Sequence, residues 1–175
     1  SLFNSLVFTI GTTLGVLIVA TTAGYSFAMF RYPGRQPLFY LTLVGLAIPF
    51  QLIAIPLFDL LVTYGMIDSY AGAILPALTH PVAVIFMKHN MEQALVEDLL
   101  NSARIDGASE FQIFIRIVLP LVRTGIAALA VLMFIRRMNV LFWPLIVFRS
   151  PEMEVATQFI SGLRGIFRPT PWVEV

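Results

Sequence analysis

Long apolar runs alternate with short polar segments along the chain. Residues 1–30 carry no acidic or basic side chain, and this run exceeds the roughly 20 residues that a helix needs to cross a bilayer. Residues 36–58 and 69–87 are likewise uncharged, and residues 121–148 are apolar apart from three arginines. The pattern predicts four transmembrane helices and therefore an all-α integral membrane protein.

Prolines and small residues modify these predicted spans. Pro49 and Pro56 remove backbone donors within the second span, so we expect a kink or a broken helix there. His80 stands alone among apolar residues of the third span, which is typical of a hydrogen-bonded side chain rather than a ligand for metal. Gly11 and Gly24 give the first span a small-residue face that permits close approach of a neighbouring helix.

The charges of the connecting segments predict an orientation. Arg31 and Arg35 bracket a short turn, and short loops rich in Lys or Arg stay in the cytoplasm. The next connection holds Asp59 and Asp68 but no Lys or Arg, so we place it on the opposite side. Residues 149–175 are mixed in charge and are interpreted as an external segment.

A polar stretch, residues 95–120, lies between the third and fourth spans. Leu95, Leu99 and Ala103 recur every four residues, which predicts one apolar face on a short surface helix. Gly107 follows this helix in the position of a C′ glycine, which adopts a left-handed conformation without a Cβ penalty. The first helix of the stretch is therefore expected to end there.

A second short helix is predicted directly after this glycine. Ser109 offers an N-cap, and Gln112 three residues later completes an S-x-x-Q capping box. Phe111, Ile115 and Val118 form an apolar stripe on the helix that follows. We therefore expect a helix–turn–helix hairpin whose polar face meets water or another protein.

Composition supports the membrane assignment and excludes several kinds of site. Hydrophobic residues make up 58% of the 175 residues, and charged residues only 12%, about half the usual share of a soluble domain. A net charge of +1 without a basic, aromatic-rich patch argues against nucleic acid. Without cysteine, disulfides and thiolate metal sites are excluded, and two distant histidines make a metal centre unexpected. The chain does not begin with Met, so we interpret it as a fragment.

The hairpin sequence resembles a known loop. Asn101-Ser102-Ala103-x-x-x-Gly107, followed ten residues later by Ile117-x-Leu119-Pro120, is similar to the EAA loop of permease subunits in ATP-binding-cassette (ABC) importers. In that family the loop is a coupling helix that docks on the cytoplasmic ATPase. The resemblance assigns the coupling contact to Asn101, Ser102, Ala103, Asp106, Gly107, Ile117, Leu119 and Pro120. Asn101 stands where the family has Glu, so the acidic contact at that position is absent.

The resemblance also implies a fold, a cargo and partners. The wording around Ala103–Ala108 is similar to the carbohydrate-uptake branch, which implies import of a sugar or related polyol. The implied fold is a type I ABC importer transmembrane domain, partial over residues 1–175, with the coupling loop at residues 95–120. The implied partners are ABC ATPase subunits, a second permease subunit, a periplasmic or lipoprotein solute-binding protein, and lipid of a bacterial or archaeal plasma (inner) membrane.

The chain itself is expected to hold no nucleotide, cofactor, metal or catalytic residue. It has no G-x-x-x-x-G-K-[ST] loop to bind nucleotide phosphates, so ATP would be bound by the partner subunits. An intramembrane enzyme would need clustered His, Asp, Glu or Ser at one depth, whereas the acids here lie at loop ends. A channel or secondary transporter, or a permease for amino acids, phosphonates or polyol phosphates, remains an alternative.

Two adjacent arginines near the end of the fourth span are unexpected. The segment from Asn139 to Leu145 resembles the outer end of the corresponding family helix, in which small residues occupy the positions of Arg136 and Arg137. Two interpretations stay open: the arginines snorkel or pair with a partner permease, or one lines the path of an anionic or polyhydroxylated solute. The candidate path residues are Arg136, Asn139 and Trp143.

Overall fold

The structure, a computed structural model, describes residues 1–167, and every regular element within them is helical. The α-helices are α1 Leu2–Met29, α2 Arg35–Ala47, α3 Phe50–Thr63, α4 Tyr70–Ile74, α5 Pro81–Ala94, α6 Glu97–Ile105, α7 Glu110–Ile113, α8 Leu119–Leu121, α9 Arg123–Met138, α10 Phe142–Val147 and α11 Ala156–Phe167. Short 3₁₀ segments cover Leu75–Leu78 and Pro151–Met153, and a π-helix covers Phe114–Val118. The predicted external segment is thus described up to residue 167, and its last eight residues lie outside the described part.

One described helix, α1, is long and apolar enough to cross a membrane alone. Counting each bent helix pair as one span raises the total to as many as four within residues 1–167. These pairs are α2 with α3, α4 and its 3₁₀ extension with α5, and α7–α8 with α9. The four predicted spans are thus matched within residues 1–167 when each bent pair is counted as one broken span.

Pro49 explains the break in the second span. The preceding residue, Ile48, has an extended backbone with φ −89° and ψ 114°, because the proline ring disfavours the helical region for the residue before it. Pro56, in contrast, lies inside α3 without ending it. The expectation of a kink or broken helix in this span is confirmed at Pro49, where the two helices are bent by 101°.

A polar side chain caps the start of each helix in the third span. The Ser69 hydroxyl accepts a hydrogen bond from the N–H of Gly72 at 3.1 Å and begins α4. The Nδ1 atom of His80 accepts from the N–H of Ala83 at 3.3 Å and begins α5. His80 is therefore a hydrogen-bonding side chain, as predicted, and it serves as an N-cap.

The chain folds into two compact units. The first contains Ser1–Thr13, Phe50–Ala77 and the described part of Phe134–Val175, and the second contains Leu14–Pro49 and Leu78–Met133. The core of the first unit includes Phe8, Ala73, Trp143, Val147 and Phe148. The core of the second includes Val16, Met87, Met91, Leu129 and Met133.

Within the second unit, Gly24 allows α1 to approach α5 closely. A Cβ atom at position 24 would lie 2.8 Å from the Cβ of Met87 and 2.9 Å from the backbone nitrogen of Lys88. A contact with backbone leaves no flexible group to move aside. The predicted packing role of the small-residue face is confirmed at this position.

Asp68 ties two loops of the first unit together. It has a left-handed backbone with φ +58°, a conformation that Asp tolerates better than most residues. Its carboxylate accepts the N–H groups of Ser150 at 3.2 Å and Arg149 at 3.0 Å, and its own N–H donates to Val147 at 2.9 Å. The hydrogen bonds from Ser150 and Arg149 hold the pKa of this carboxyl below its ordinary value of 3.8, so it is ionised at neutral pH.

Candidate functional site

The polar stretch forms the predicted helix–turn–helix hairpin, here called the 97–113 hairpin. Its first helix, α6, has Glu97 and Asp98 in the first turn and Arg104 in the last, which complements the helix dipole. Its second helix, α7, begins with the predicted capping box: Ser109 Oγ accepts the Gln112 N–H at 3.3 Å, and Gln112 Oε1 accepts the Ser109 N–H at 2.9 Å. Local sequence therefore stabilises both ends of α6 and the start of α7.

Gly107 makes the turn between these helices. Its φ is +84°. The N–H of Gly107 donates to the carbonyl of Arg104 at 3.1 Å, and the N–H of Ala108 donates to the carbonyl of Ala103 at 3.0 Å. This pair of bonds is a Schellman motif, in which a left-handed C′ residue satisfies the last carbonyls of a helix. A Cβ atom at position 107 would meet nothing within 4 Å. Glycine is thus required there by backbone conformation alone.

An ion pair closes the hairpin across this turn. Arg104 Nε donates to Glu110 Oε1 at 2.6 Å, and Arg104 Nη2 lies 3.4 Å from Glu110 Oε2. Arg104 Nη1 also donates to the Oδ1 of Asn101 at 2.7 Å. The hydrogen bond between Arg104 and Glu110 raises the pKa of the Arg104 guanidinium and lowers the pKa of the Glu110 carboxyl, so both groups are charged at neutral pH. The Asn101 side chain thus helps to orient the arginine.

The same carboxylate connects the hairpin to the first span. The hydroxyl of Tyr25 donates to Glu110 Oε2 at 3.3 Å. Tyr25 is buried, and its ring packs 5.2 Å from that of Phe30 and 5.3 Å from that of Phe114. The polar hairpin is therefore attached to α1 by a hydrogen bond set in an aromatic cluster. This network was not predicted from the sequence, although the opposite charges of Arg104 and Glu110, six residues apart across a glycine turn, could have indicated the ion pair.

The apolar faces predicted for the hairpin are partly wrong. Leu99 is 45% exposed, whereas Leu100 is buried. The predicted face was counted from Leu95, but Leu95 is the C-cap of α5 and lies outside α6. The four-residue spacing from Leu95 therefore does not define a face of α6.

The second helix departs from prediction for a different reason. Phe111 is 74% and Ile115 44% exposed, whereas Ile113 and Val118 are buried. In the π-helix Phe114–Val118 each backbone hydrogen bond joins residues five apart, so residues with this spacing, such as Ile113 and Val118, lie on one face. A search for 3.6-residue periodicity misses that face.

The predicted coupling residues fall into two groups. The first group lies in α6 and the turn after it. Its exposed members are Asn101, Ser102, Asp106 and Gly107, and Ala103 is partly buried. Ile117 and Leu119 are partly buried beyond the π-helix, and Pro120 is exposed. The first group forms an accessible tip on which Ile105 is 86% exposed. The second group lies where the chain leaves the hairpin.

The candidate path residues also separate. Arg136 and Asn139 are exposed, and the Nδ2 of Asn139 donates to the carbonyl of Ile135 at 2.7 Å. Trp143 is buried, and its indole N–H donates to the carbonyl of Ala73 at 3.0 Å. The prediction of one span over residues 121–148 is wrong, because α9 ends at Met138 and α10 begins only at Phe142. The two arginines therefore lie in a C-terminal helical turn and not deep within a continuous helix.

Arg137 donates a hydrogen bond to a backbone carbonyl of the first unit. Its Nη2 donates to the carbonyl of Ala77 at 2.7 Å. Pro76 and Pro81 have no N–H to offer the carbonyls of Ala73 and Ala77, which lie three and four residues before them. The side chain of Trp143 donates to the Ala73 carbonyl instead, and the side chain of Arg137 donates to the Ala77 carbonyl. Both side chains thus stabilise the segment 73–77 of the first unit.

Comparison with known proteins gives consistent matches over nearly the whole chain. The family model described as "Binding-protein-dependent transport system inner membrane component" matches residues 4–170. The arabinooligosaccharides transport system permease protein AraQ of Bacillus subtilis is 42% identical over 161 residues, which cover 92% of this chain and 57% of that protein. The sn-glycerol-3-phosphate transport system permease protein UgpE of Yersinia enterocolitica is 34% identical over 178 residues, covering 99% and 62%.

One solved structure shares the fold. It is the crystal structure of a bacterial ABC transporter involved in the import of the acidic polysaccharide alginate, and it matches with a TM-score of 0.87 at 21% identity. The match covers 98% of this chain and 60% of the chain in that structure. The chain spans less than two thirds of the length of each protein compared here.

Proposed function

Because the chain belongs to the family of binding-protein-dependent transport system inner membrane components, we propose that it acts as a permease subunit of an ATP-driven importer. The observation that carries this proposal is the capped polar hairpin, which is closed by Arg104 and Glu110 and exposes its turn. A hairpin used only to connect two spans needs neither a rigid turn nor an internal ion pair. A rigid hairpin suits a part that must transmit force.

The 97–113 hairpin would dock on a separate ABC ATPase and move with it. Closure of the ATPase dimer around ATP displaces the hairpin, and the hydrogen bond that Tyr25 donates to Glu110 passes this displacement to α1. The spans then rock as rigid bodies and open toward the outside. ATP is bound and hydrolysed by the partner subunits, since this chain holds no phosphate-binding loop.

The proposed cargo is a sugar or a related polyhydroxylated solute. AraQ, whose name refers to arabinooligosaccharides, is among the most similar relatives. A polyol phosphate is the second candidate, and one observation favours it: Arg136 presents an exposed cation at the end of α9. The complex would also contain a second permease subunit and a solute-binding protein, in a bacterial or archaeal inner membrane.

Cross-linking from the exposed turn tests the docking proposal. The chain has no native cysteine, so Asp106→Cys places a single reactive group on the hairpin tip. In membranes that contain the whole complex, we expect a bifunctional thiol reagent to link position 106 to the ATPase subunit. Glu152→Cys, which is also exposed, is the matched control and should give no such product. An intact complex without a cross-link at position 106 would contradict the proposed docking.

Cysteine labelling also tests the proposed orientation. Arg35→Cys and Ser109→Cys should be protected from a membrane-impermeant reagent in intact cells, because both loops are predicted to be cytoplasmic. Tyr64→Cys, in the connection that holds Asp68, is 69% exposed and should be labelled from outside. Strong external labelling at position 109 would rule out this topology.

A further inference from the structure

A basic cavity opens beside the turn that joins α1 to α2. It has a volume of about 680 Å³ and lies within the second unit. The residues with charge or aromatic rings around it include Arg31, Arg35, Phe39, Tyr40 and Lys88. The transport mechanism proposed above uses none of them.

Of the three cations around the cavity, Arg35 has no ion-pair partner within residues 1–167. Lys88 pairs with Glu92 at 2.6 Å and lies 4.9 Å from the centre of the Phe39 ring. Arg31 lies 3.5 Å from Glu97, but both side chains are largely exposed, so this pair is weak. The Arg35 guanidinium makes no hydrogen bond or ion pair with any residue among 1–167. The cavity therefore has room for one negative charge beside Arg35.

The shape of the cavity is set before any ligand arrives. Gly34 has φ +88°, and the N–H of Arg35 donates to the Tyr32 carbonyl at 3.3 Å, which fixes the turn. The Phe39 ring is held by edge-to-face packing on Phe27 at 5.5 Å. A site built on such a fixed turn loses little entropy on binding.

The surroundings of the cavity are those of a membrane interface. The turn follows directly after the apolar helix α1, and Tyr40 beside it is 58% exposed, as is common for tyrosines at the level of lipid headgroups. Leu38 and Leu41 on α2 are 50% and 66% exposed. A ligand that covers both the cation and these leucines must be charged at one end and apolar at the other.

We propose that this cavity binds the phosphate of an anionic phospholipid from the cytoplasmic leaflet, with Arg35 as its main partner. The guanidinium presents paired N–H donors that match phosphate oxygens. The acyl chains then cover the exposed leucines of α2.

Thermal unfolding of the purified complex in detergent tests the lipid site. Phosphatidylglycerol should raise Tm, whereas phosphatidylcholine and inorganic phosphate should not. Arg35→Gln should raise the half-saturating phosphatidylglycerol concentration about fivefold, since one basic residue near a membrane surface is worth that much affinity. Arg35→Lys keeps the charge and should restore most of the response.

Arg116→Gln is the matched control. It removes an exposed cation from the same predicted side of the membrane but outside the cavity, and it should leave the lipid response unchanged. An equal loss in both variants would show a general surface-charge effect and overturn the proposed site. Protection by inorganic phosphate equal to that by phosphatidylglycerol would overturn the lipid as ligand. The complex and the cytoplasmic leaflet follow from the proposed function, but the readout needs no ATP hydrolysis, so failure of the lipid site is distinguishable from failure of transport.

Discussion

Gly107→Val should abolish most transport while the protein still inserts in the membrane. A β-branched residue at φ +84° is strained by about 1–3 kcal/mol. A penalty of that size lowers the equilibrium constant for the aligned hairpin by roughly 5- to 150-fold. The side chain itself meets open space, so no clash in the core accompanies the strain. ATP-driven uptake in vesicles, compared with the amount of assembled complex, measures the effect.

Gly107→Asn provides the control for this experiment. Asn adopts the left-handed conformation more readily than other non-glycine residues, so it adds a side chain of similar size with less strain. Uptake by the Asn variant should lie between those of the wild type and the Val variant. Normal ATP-driven uptake by the Val variant would show that this turn is not the coupling element.

The hairpin shows which features local sequence predicts well. The turn at Gly107 and the capping box of Ser109 and Gln112 depend on neighbours within a few residues, and both are confirmed. The buried faces depend on the phase of the helix, which the break before α6 and the π-helix reset. The bond between Tyr25 and Glu110 joins residues 85 positions apart, and only the tertiary fold brings them together.

The spans show a similar division. Hydropathy predicts how many apolar segments there are, because it depends on composition over about 20 residues. It does not predict where a segment breaks, since an apolar residue fits a helix end as well as its middle. The end of α9 at Met138 is marked by no proline, yet it places Arg137 where it reaches the carbonyl of Ala77.

Substitutions of Arg136 and Arg137, the two adjacent arginines at the end of α9, should impair different properties of the protein. Arg137→Ala should lower the amount of assembled complex, because it leaves the Ala77 carbonyl without its donor, and a hydrogen bond from a charged group contributes about 1.5–3 kcal/mol. Arg136→Ala should instead lower maximal uptake more than assembly, since the Arg136 side chain is exposed and is our candidate for the solute path. Pull-down of partner subunits measures assembly, and uptake in vesicles measures transport.

Two further variants separate a lost hydrogen bond from a lost charge. Arg137→Lys keeps a charged donor near Ala77 and should recover part of the assembly, whereas Trp143→Phe removes the donor to Ala73 without changing any charge and should impair assembly as Arg137→Ala does. The two carbonyls lie in the same short segment, so similar defects are expected from losing either donor. If Arg136→Ala and Arg137→Ala reduce assembly equally, and uptake falls only in proportion, then Arg136 has no role in the solute path.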